Sequence, residues 1–424
     1  MIKLAKRMYR SIKNVPYFID YSCFKTGLRH LNENKYINRQ KGKIFLIILD
    51  CVRADSVRED LMPNLKRIAN EGLMCSNCYA QAPFTTASIV SILTGLNPYR
   101  HGVRHLVGEK VEHKTIVDYL QTSSLGLVSC FHLTHLGLQE RFSDYIFPLN
   151  LIAANDGRGS YAPSERIVKL ALDNWHKYSF FFLHLFDAHF HSSESYEEKY
   201  FLSIKEMDKN LKKIFERVTR DDLLIITADH GKKWTGEHDF PYMNYKGKRI
   251  LEGVGHGPEL YNEVLRVPLV FWGRNVESMQ IDEVIRSVDI LPTVCGLLNI
   301  SLMENLDGVN ILTKTDHLRA YSETFTKETL HPDKENPPFV CLQDKRWKII
   351  CEVLDRKLKK YQVFDLKNDP KELNPFGLQE HFPEVDVLEE WLFREKKILG
   401  KEKEEDISEY SGVIKERLRD LGYM

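Results

Sequence analysis

KIFLIILD, residues 43–50, is an apolar, β-branched run that ends on an acid. A continuous apolar run of this length marks a strand buried on both faces, as in the interior of a parallel sheet. The pattern recurs in SFFFLHLF (179–186), followed by Asp187, and in DLLIITADHG (222–231), which closes on an acid, a histidine and a glycine. RVPLVFW (266–272) reads as a further buried strand and LGLVSC (125–130) as a short one. Helical stretches lie between them: MPNLKRIANEG (62–72), with Pro near its start and Gly at its end, TIVDYLQT (115–122), PSERIVKLALDNWHKY (163–178), the amphipathic EEKYFLSIKEMDKNLKKIFERV (197–218) and IRSVDILPTVCGLL (285–298). Strands alternating with helices specify an α/β fold whose mainly parallel sheet is sandwiched by helices.

The texture changes after about residue 315. RAYSETF (319–325), PPFVCLQDKRWKIICEVL (337–354) and YQVFDL (361–366) read as strands of a smaller sheet, followed by a helix at 385–398 and a charged tail. The expected organisation is a basic leader (1–42), a catalytic domain (43–315) and a small C-terminal α+β subdomain with a helical tail (316–424).

Composition narrows the function. Lys plus Arg and Asp plus Glu are equal at 60 each, so no global charge bias points to nucleic acid. The eight cysteines show no disulfide framework, and Cys75 and Cys78 lack the second pair that would complete a zinc site. They read as buried thiols in a reducing compartment. No run approaches the ~20 apolar residues of a membrane span, and the N-terminus lacks the apolar core of a signal peptide. The expected location is cytoplasmic. Residues 1–43 hold eleven Lys and Arg against Asp20 and Glu33, which favours a solvated leader or peripheral contact with an anionic membrane face.

Asp50, Asp187 with His189, and Asp229 with His230 all follow strands. In open parallel sheets the carboxyl ends of strands converge where ligands bind. One such acid commonly caps a helix; three on one edge, with two histidines, read as a site. Asp50, Asp229 and His230 form a hard-to-borderline donor set suited to Mn²⁺, Zn²⁺ or Mg²⁺. APFTTASIVSILTG (82–95) supplies a hydroxyl: two threonines precede an apolar helix. A metal lowers the pKa of a bound hydroxyl, and a helix N-terminus stabilises an anion beside it. One threonine is expected to cap the helix while the other attacks a tetrahedral phosphorus or sulfur.

These segments carry a resemblance. LIILDCVRADSV, MPNLKRIANEGLMCSNCYA, APFTTASIVSILTGLNPYRHGV, FFLHLFDAHF, IITADHG, HGPELYNEVLRVPLVFW and SVDILPTVCGLL stand in the order seen in sulfatases of the alkaline-phosphatase superfamily. DKRWKII with VFDLKNDPKELNP resembles that family's small-subdomain signature, and the match runs from about residue 43 to the C-terminus. It implies an alkaline-phosphatase-like fold and a nucleophile at Thr85, ten residues before Gly95. Sulfatases place there a cysteine or serine that matures to formylglycine. Here Ala87 replaces the motif's Pro and Ile89 its Arg, so the branch resembled is the one with unmodified threonine, which includes phosphodiesterases, phosphonate ester hydrolases and phosphoglycerol or phosphoethanolamine transferases.

The resemblance implies one divalent metal held by Asp50, Thr85, Asp229 and His230. Mn²⁺ or Zn²⁺ is expected over Ca²⁺ or Mg²⁺, because Cys51 stands where a second acid is usual and an imidazole is gained. A second metal involving Asp187 is an option. His189 corresponds to a histidine that contacts the transferring group or leaving oxygen. His256 corresponds to a substrate-binding Lys or His, and either could protonate a leaving alkoxide. His238 is expected at the pocket rim, Arg53 behind Asp50 or on an anion, and Lys232 and Lys233 where they attract an anionic substrate. The leading expectation is a metal-dependent phosphoester hydrolase or transferase working through a phosphothreonine on a small-molecule, glycan or lipid head-group ester. The rivals are a sulfuric ester hydrolase that dispenses with formylglycine and a non-catalytic glycan- or lipid-binding relic.

Overall fold

The computed structural model describes residues 28–31, 42–104, 109–148, 152–153, 160–189, 196–233, 238, 256, 259–303, 305–314, 318–324, 339–354, 357–376, 386 and 390–391. Its strands are β1 (Leu28–Leu31), β2 (Ile44–Leu49), β3 (Leu73–Tyr79), β4 (Ser124–Leu127), β5 (Asp144–Phe147), β6 (Ile152–Ala153), β7 (Ser160–Tyr161), β8 (Phe180–Leu185), β9 (Leu223–Thr227), β10 (Arg266–Gly273), β11 (Met279–Arg286), β12 (Ala320–Thr324), β13 (Phe339–Gln343), β14 (Trp347–Leu354) and β15 (Lys357–Asp365). A nine-stranded sheet has the order β1-β5-β4-β8-β2-β9-β10-β3-β11. Its centre, β5-β4-β8-β2-β9, is parallel throughout.

Every residue of β2 and β8 is buried, which explains their unbroken apolar text. Helices Pro63–Glu71, Ser164–Asp173 and Tyr196–Phe215 cover the sheet with amphipathic faces, and helix Thr85–Thr94 is buried on every side. Gly95 ends that helix at φ 68°, the left-handed stop that glycine adopts most readily. No described helix is long and apolar enough to cross a membrane.

Several details depart from the sequence reading. RVPLVFW is a strand, β10, but runs antiparallel to both β9 and β3. β3 and β11 were not anticipated: β3 hides behind the Cys75–Cys78 spacing, and β11, at the sheet edge, alternates with polar residues instead of being apolar throughout. The stretch 285–298 starts in β11, passes a 3-10 turn at Ser287–Asp289 and becomes helical only at Ile290–Leu297. β1 comes from inside the basic leader and pairs antiparallel with β5. The rest of the leader, most of the helix at 385–398 and the charged tail lie outside the described residues.

The C-terminal strands form a four-stranded antiparallel meander, β12-β13-β14-β15. It docks through an apolar cluster that includes Leu260, Tyr261, Phe339, Ile350 and Phe364. It also reaches the segment ahead of Thr85: the Ser322 hydroxyl donates to the Ala80 carbonyl (2.6 Å) and the Glu323 N–H to the Gln81 carbonyl (3.0 Å).

Candidate active site and metal centre

β8, β2 and β9 are neighbours, so Asp50 after β2, Asp187 and His189 after β8, and Asp229 and His230 after β9 reach one edge of the sheet. Asp50, Thr85, Asp229 and His230 come together, all buried. Thr85 is the first residue of helix Thr85–Thr94. Its hydroxyl donates to Asp50 Oδ2 at 3.2 Å and lies 3.4 Å from His230 Nε2. His230 Nδ1 sits 2.9 Å from the Gly231 carbonyl, which makes Nδ1 the protonated nitrogen and leaves the Nε2 lone pair facing Thr85. His230 Nε2 is also 3.3 Å from Asp229 Oδ2.

The donors fit a divalent ion. Asp50 Oδ1 and Asp229 Oδ2 are buried and lack a hydrogen-bond partner among the described residues, a costly state unless a cation occupies the space between them. The charges agree. Burial, then the neighbouring Asp50, push the Asp229 carboxyl up to about 7. Burial also works against ionised Asp50, but His189, His184 and His230 hold it well below the usual carboxylate range. Two carboxylates crowded together without enough positive charge are what a metal relieves.

The remaining predicted residues divide. His189 and His256 do meet, with Nε2 atoms 3.1 Å apart, and His256 Nδ1 donates to the Pro83 carbonyl at 3.2 Å. Burial, then His230 and His189, hold His256 far below its usual value, so its imidazole is neutral. Asp187 does not join a metal set. Its carboxylate accepts the Ser164 N–H (2.9 Å) and hydroxyl (2.9 Å) at the start of helix Ser164–Asp173. Arg53 does not touch Asp50; its guanidinium pairs with Asp55 at 2.9 Å and donates to the Lys232 carbonyl. Lys232 and Lys233 are buried: the Lys232 ammonium donates to the His189 carbonyl, and that of Lys233 lies 3.7 Å from Glu259. Neither threonine is the N-cap of helix Thr85–Thr94. Phe84 is the N-cap without a side-chain bond. Ser88 reaches out to the Asp229 carbonyl at 2.5 Å and ties the helix to the segment that follows β9.

The sulfatase family profile matches residues 43–300, more than half of the chain. The chain belongs to the sulfatase family. A second profile, that of the N-sulphoglucosamine sulphohydrolase C-terminal region, matches residues 258–396 of this sulfatase-family chain. Mouse arylsulfatase K is 27% identical over 199 residues, covering 44% of the chain and 33% of the relative. The uncharacterized sulfatase YidJ of Escherichia coli is 25% identical over 153 residues, covering 36% and 27%. The chain thus spans about a third or less of the length of these relatives. Solved structures share the fold across most of both chains. A 2-O GAG sulfatase superposes with a TM-score of 0.64 at 14% identity, covering 84% of this chain and 91% of that one. The phosphonate monoester hydrolase of Agrobacterium radiobacter gives 0.64 at 15%, covering 84% and 96%. A protein solved with its substrate D-glucosamine-2-N,6-O-disulfate gives 0.62 at 13%, covering 87% and 100%.

Two residues of this sulfatase-family site escaped the sequence reading. His184, inside β8, places Nε2 3.0 Å from Asp50 Oδ2. Burial opposes its charged form, but contact with Cys130 and the bond to Asp50 outweigh that and raise it to about 10. The signal was a lone histidine in FFFLHL, since a polar group in a fully buried strand requires a partner. Cys51, read only as a buried thiol where a second acid is usual, adopts φ 62° directly after Asp50; its N–H points at Asp229 Oδ1 (3.3 Å) and its Sγ lies 3.7 Å from His230 Nδ1. His238, expected at the rim, is instead buried against the C-terminal subdomain: Nδ1 is 2.5 Å from Glu263 Oε1, Nε2 is 2.9 Å from the Lys371 carbonyl, and the ring stacks on Tyr261. With Glu263 and Glu372 it forms a further group of metal-capable donors, but Lys348 Nζ, 2.5 Å from Glu372 Oε1, already supplies charge there. A cavity of about 750 Å³ opens beside it between Arg53, Arg58, Phe201, His238, Arg266 and Lys371, and Asp50, Thr85, Asp229 and His230 do not line it.

Proposed function

We propose that the protein cleaves phosphate esters, with phosphodiesters or phosphomonoesters as substrates, through a phosphothreonine at Thr85. The observation that carries this reading is the Thr85 hydroxyl itself. It is a threonine hydroxyl at a buried helix N-terminus, 3.2 Å from Asp50 and 3.4 Å from His230. Asp50, Asp229, His230 and Thr85 would hold one divalent ion, with Mn²⁺ or Zn²⁺ best matched to two carboxylates, an imidazole and an alcohol. When bound, such an ion lowers the pKa of a coordinated hydroxyl and neutralises charge on the phosphoryl oxygens.

The residues then divide the work. Asp50 Oδ2, as the hydrogen-bond acceptor of Thr85, takes the hydroxyl proton. Thr85 Oγ1 bonds to phosphorus as the bond to the leaving alkoxide breaks. That alkoxide departs toward His189 and His256 and takes up a proton there. Water then attacks phosphorus and passes a proton to the histidine pair, replacing the one the alkoxide took; the bond from phosphorus to Thr85 Oγ1 breaks, phosphate or a phosphomonoester leaves, and the proton held on Asp50 returns to Thr85. The N-terminus of helix Thr85–Thr94 favours the anionic intermediate through the positive end of the helix dipole.

Rapid acid quench during turnover of a slow aryl phosphate, read by intact mass, should find an adduct that maps to Thr85. Thr85→Ala should lack both adduct and turnover, while Thr85→Ser keeps part of the rate. An adduct on Thr86, or normal turnover by Thr85→Ala, would falsify the assignment. The second reading, a sulfuric ester hydrolase without formylglycine, is favoured by the family match over residues 43–300. Matched aryl phosphate, phosphodiester and sulfate esters separate the two by kcat/KM. An activity of either kind would exclude the non-catalytic alternative.

A further inference from the structure

The cavity of about 750 Å³ beside His238 has no part in the reaction described above: neither the metal-centre residues nor His189 and His256 line it. Its volume is that of a site for a small organic molecule. Stretches far apart in sequence close around it. The loop after β2 brings Arg53 and Arg58, helix Tyr196–Phe215 brings Phe201, the head of β10 brings Arg266, and residues 370–373 follow β15.

The walls are fixed in advance. The Arg53 N–H donates to the Tyr200 hydroxyl at 3.1 Å, and its guanidinium holds both Asp55 and the Lys232 carbonyl. On the other side the Asn262 N–H donates to Glu372 at 2.6 Å.

Charge decides what fits. Among the acids of the lining, Asp55 is paired with Arg53, Glu263 with His238 and Glu372 with Lys348, while Glu197 is exposed on the first turn of its helix. Two cations remain. Among the described residues the side chains of half-buried Arg266 and exposed Lys371 have neither a hydrogen-bond nor an ion-pair partner. Arg58 adds positive charge 5.5 Å over the Phe201 ring, and its partner Asp60 stands outside the lining. A guanidinium fork beside an ammonium matches the oxygens of a phosphoryl group. Two uncommitted cations suit the near-double charge of a phosphate monoester better than the single charge of a sulfate monoester. Phe201, Pro370 and Leu373 give the same cavity an apolar side.

We infer that this cavity binds a small organic phosphate monoester, its phosphoryl group on Arg266 and Lys371 and its carbon body against Phe201, Pro370 and Leu373. The site is separate from the reacting centre, so the inference does not depend on which ester Thr85 attacks. A divalent cation is the wrong occupant, because Asp55, Glu263 and Glu372 already have their counter-charges.

Isothermal titration of phenylphosphonate into the full-length, metal-free protein tests it, since the carbon–phosphorus bond of that probe is not an ester. Wild type should bind one equivalent. Arg266→Gln and Lys371→Gln should each weaken binding at least ~10-fold, the loss expected for a charge-assisted hydrogen bond. Thr85→Ala should bind as wild type does, and benzenesulfonate, with one charge, should bind wild type at least ~10-fold more weakly than phenylphosphonate. Lys371 is exposed, so its variant tests the site even if Arg266→Gln fails to fold. Absence of binding, affinity unchanged in Lys371→Gln, binding lost in Thr85→Ala, or equal affinity for the two probes overturns the inference. None of these results bears on the adduct at Thr85, which stands or falls by its own mass analysis.

Discussion

His184 occupies a place in the site that no strand-end pattern reveals. It lies within β8, points at the Asp50 oxygen that also receives Thr85, and so fixes which face of the carboxylate remains for a metal. Hydrogen bonds to metal ligands typically govern 10–100-fold in affinity. His184→Gln should therefore weaken metal binding by about that factor in isothermal titration, with circular dichroism unchanged. An unaltered affinity would mean that Asp50 is held by other contacts. Asp50, Asp229 and His230 were legible in the sequence because each follows a strand; that Thr85 and not Thr86 joins them came from the family resemblance. His184 was not legible, because its partner stands 134 positions away in the chain. His238 misled for the same reason: what buries it arrives from residues 371 and 372.

At the scale of the element, helix Thr85–Thr94 has no polar face because no side of it meets water. Its polar residues pair instead: Ser88 with the Asp229 carbonyl, Thr94 with the Val90 carbonyl and Ser91 with His101 Nε2 at 3.0 Å. His101 Nδ1 accepts the Val103 N–H at 3.1 Å, so Nε2 carries the proton and the ring is neutral. Burial, then His113 and Arg104, bring His101 down to about 3. A histidine lowered in the folded state takes up its proton first when unfolded. Its contribution is complete above about pH 6.5 and drains as the pH falls toward 3, at up to ~1.4 kcal/mol per pH unit. Urea unfolding between pH 7 and 5 should show a shallower loss of stability in His101→Gln than in wild type. Equal slopes would show that His101 does not titrate on unfolding. β2, β8 and β9 were legible because burial on both faces writes itself as uninterrupted apolar text, whereas β5, which starts on Asp144, was not. β3 and β11, flanking β10's far side, are partly solvated and read as mixed sequence.

At the scale of the molecule, the C-terminal meander holds the segment that delivers Thr85. Arg104 meets Glu323 of β12 at 2.5 Å, and Glu323 is buried. Burial works against the Arg104 charge, but Glu323 outweighs it and raises Arg104 above its usual value. Removing one member of a buried pair strands the other, at a typical cost of 3–5 kcal/mol. Glu323→Ala should lose about that much in urea unfolding, and Arg104→Ala with Glu323→Ala together should lose less than the two singles summed. Strict additivity would remove the coupling. A second, all-strand unit after residue 315 was legible in the sequence; its contacts with Ala80, Gln81 and Arg104 were not, because they are set by how the sheets dock.

The pairing of β1 with β5 bears on where this chain can be cut. Residues 28–31 cover the backbone of Asp144–Phe147, whose side chains are all buried. An uncovered strand edge of that kind is a template for pairing between molecules. A shortened protein that starts at residue 42, just ahead of the matched family region, would leave this edge open, whereas one that starts at residue 27 would not. Sedimentation velocity should find the first self-associating with concentration and the second monodisperse under the same conditions. Should both sediment alike, β1 would not be what shields the edge. The short N-terminal strand then has the character of a built-in chaperone for its own sheet, spending four residues to keep neighbouring copies apart.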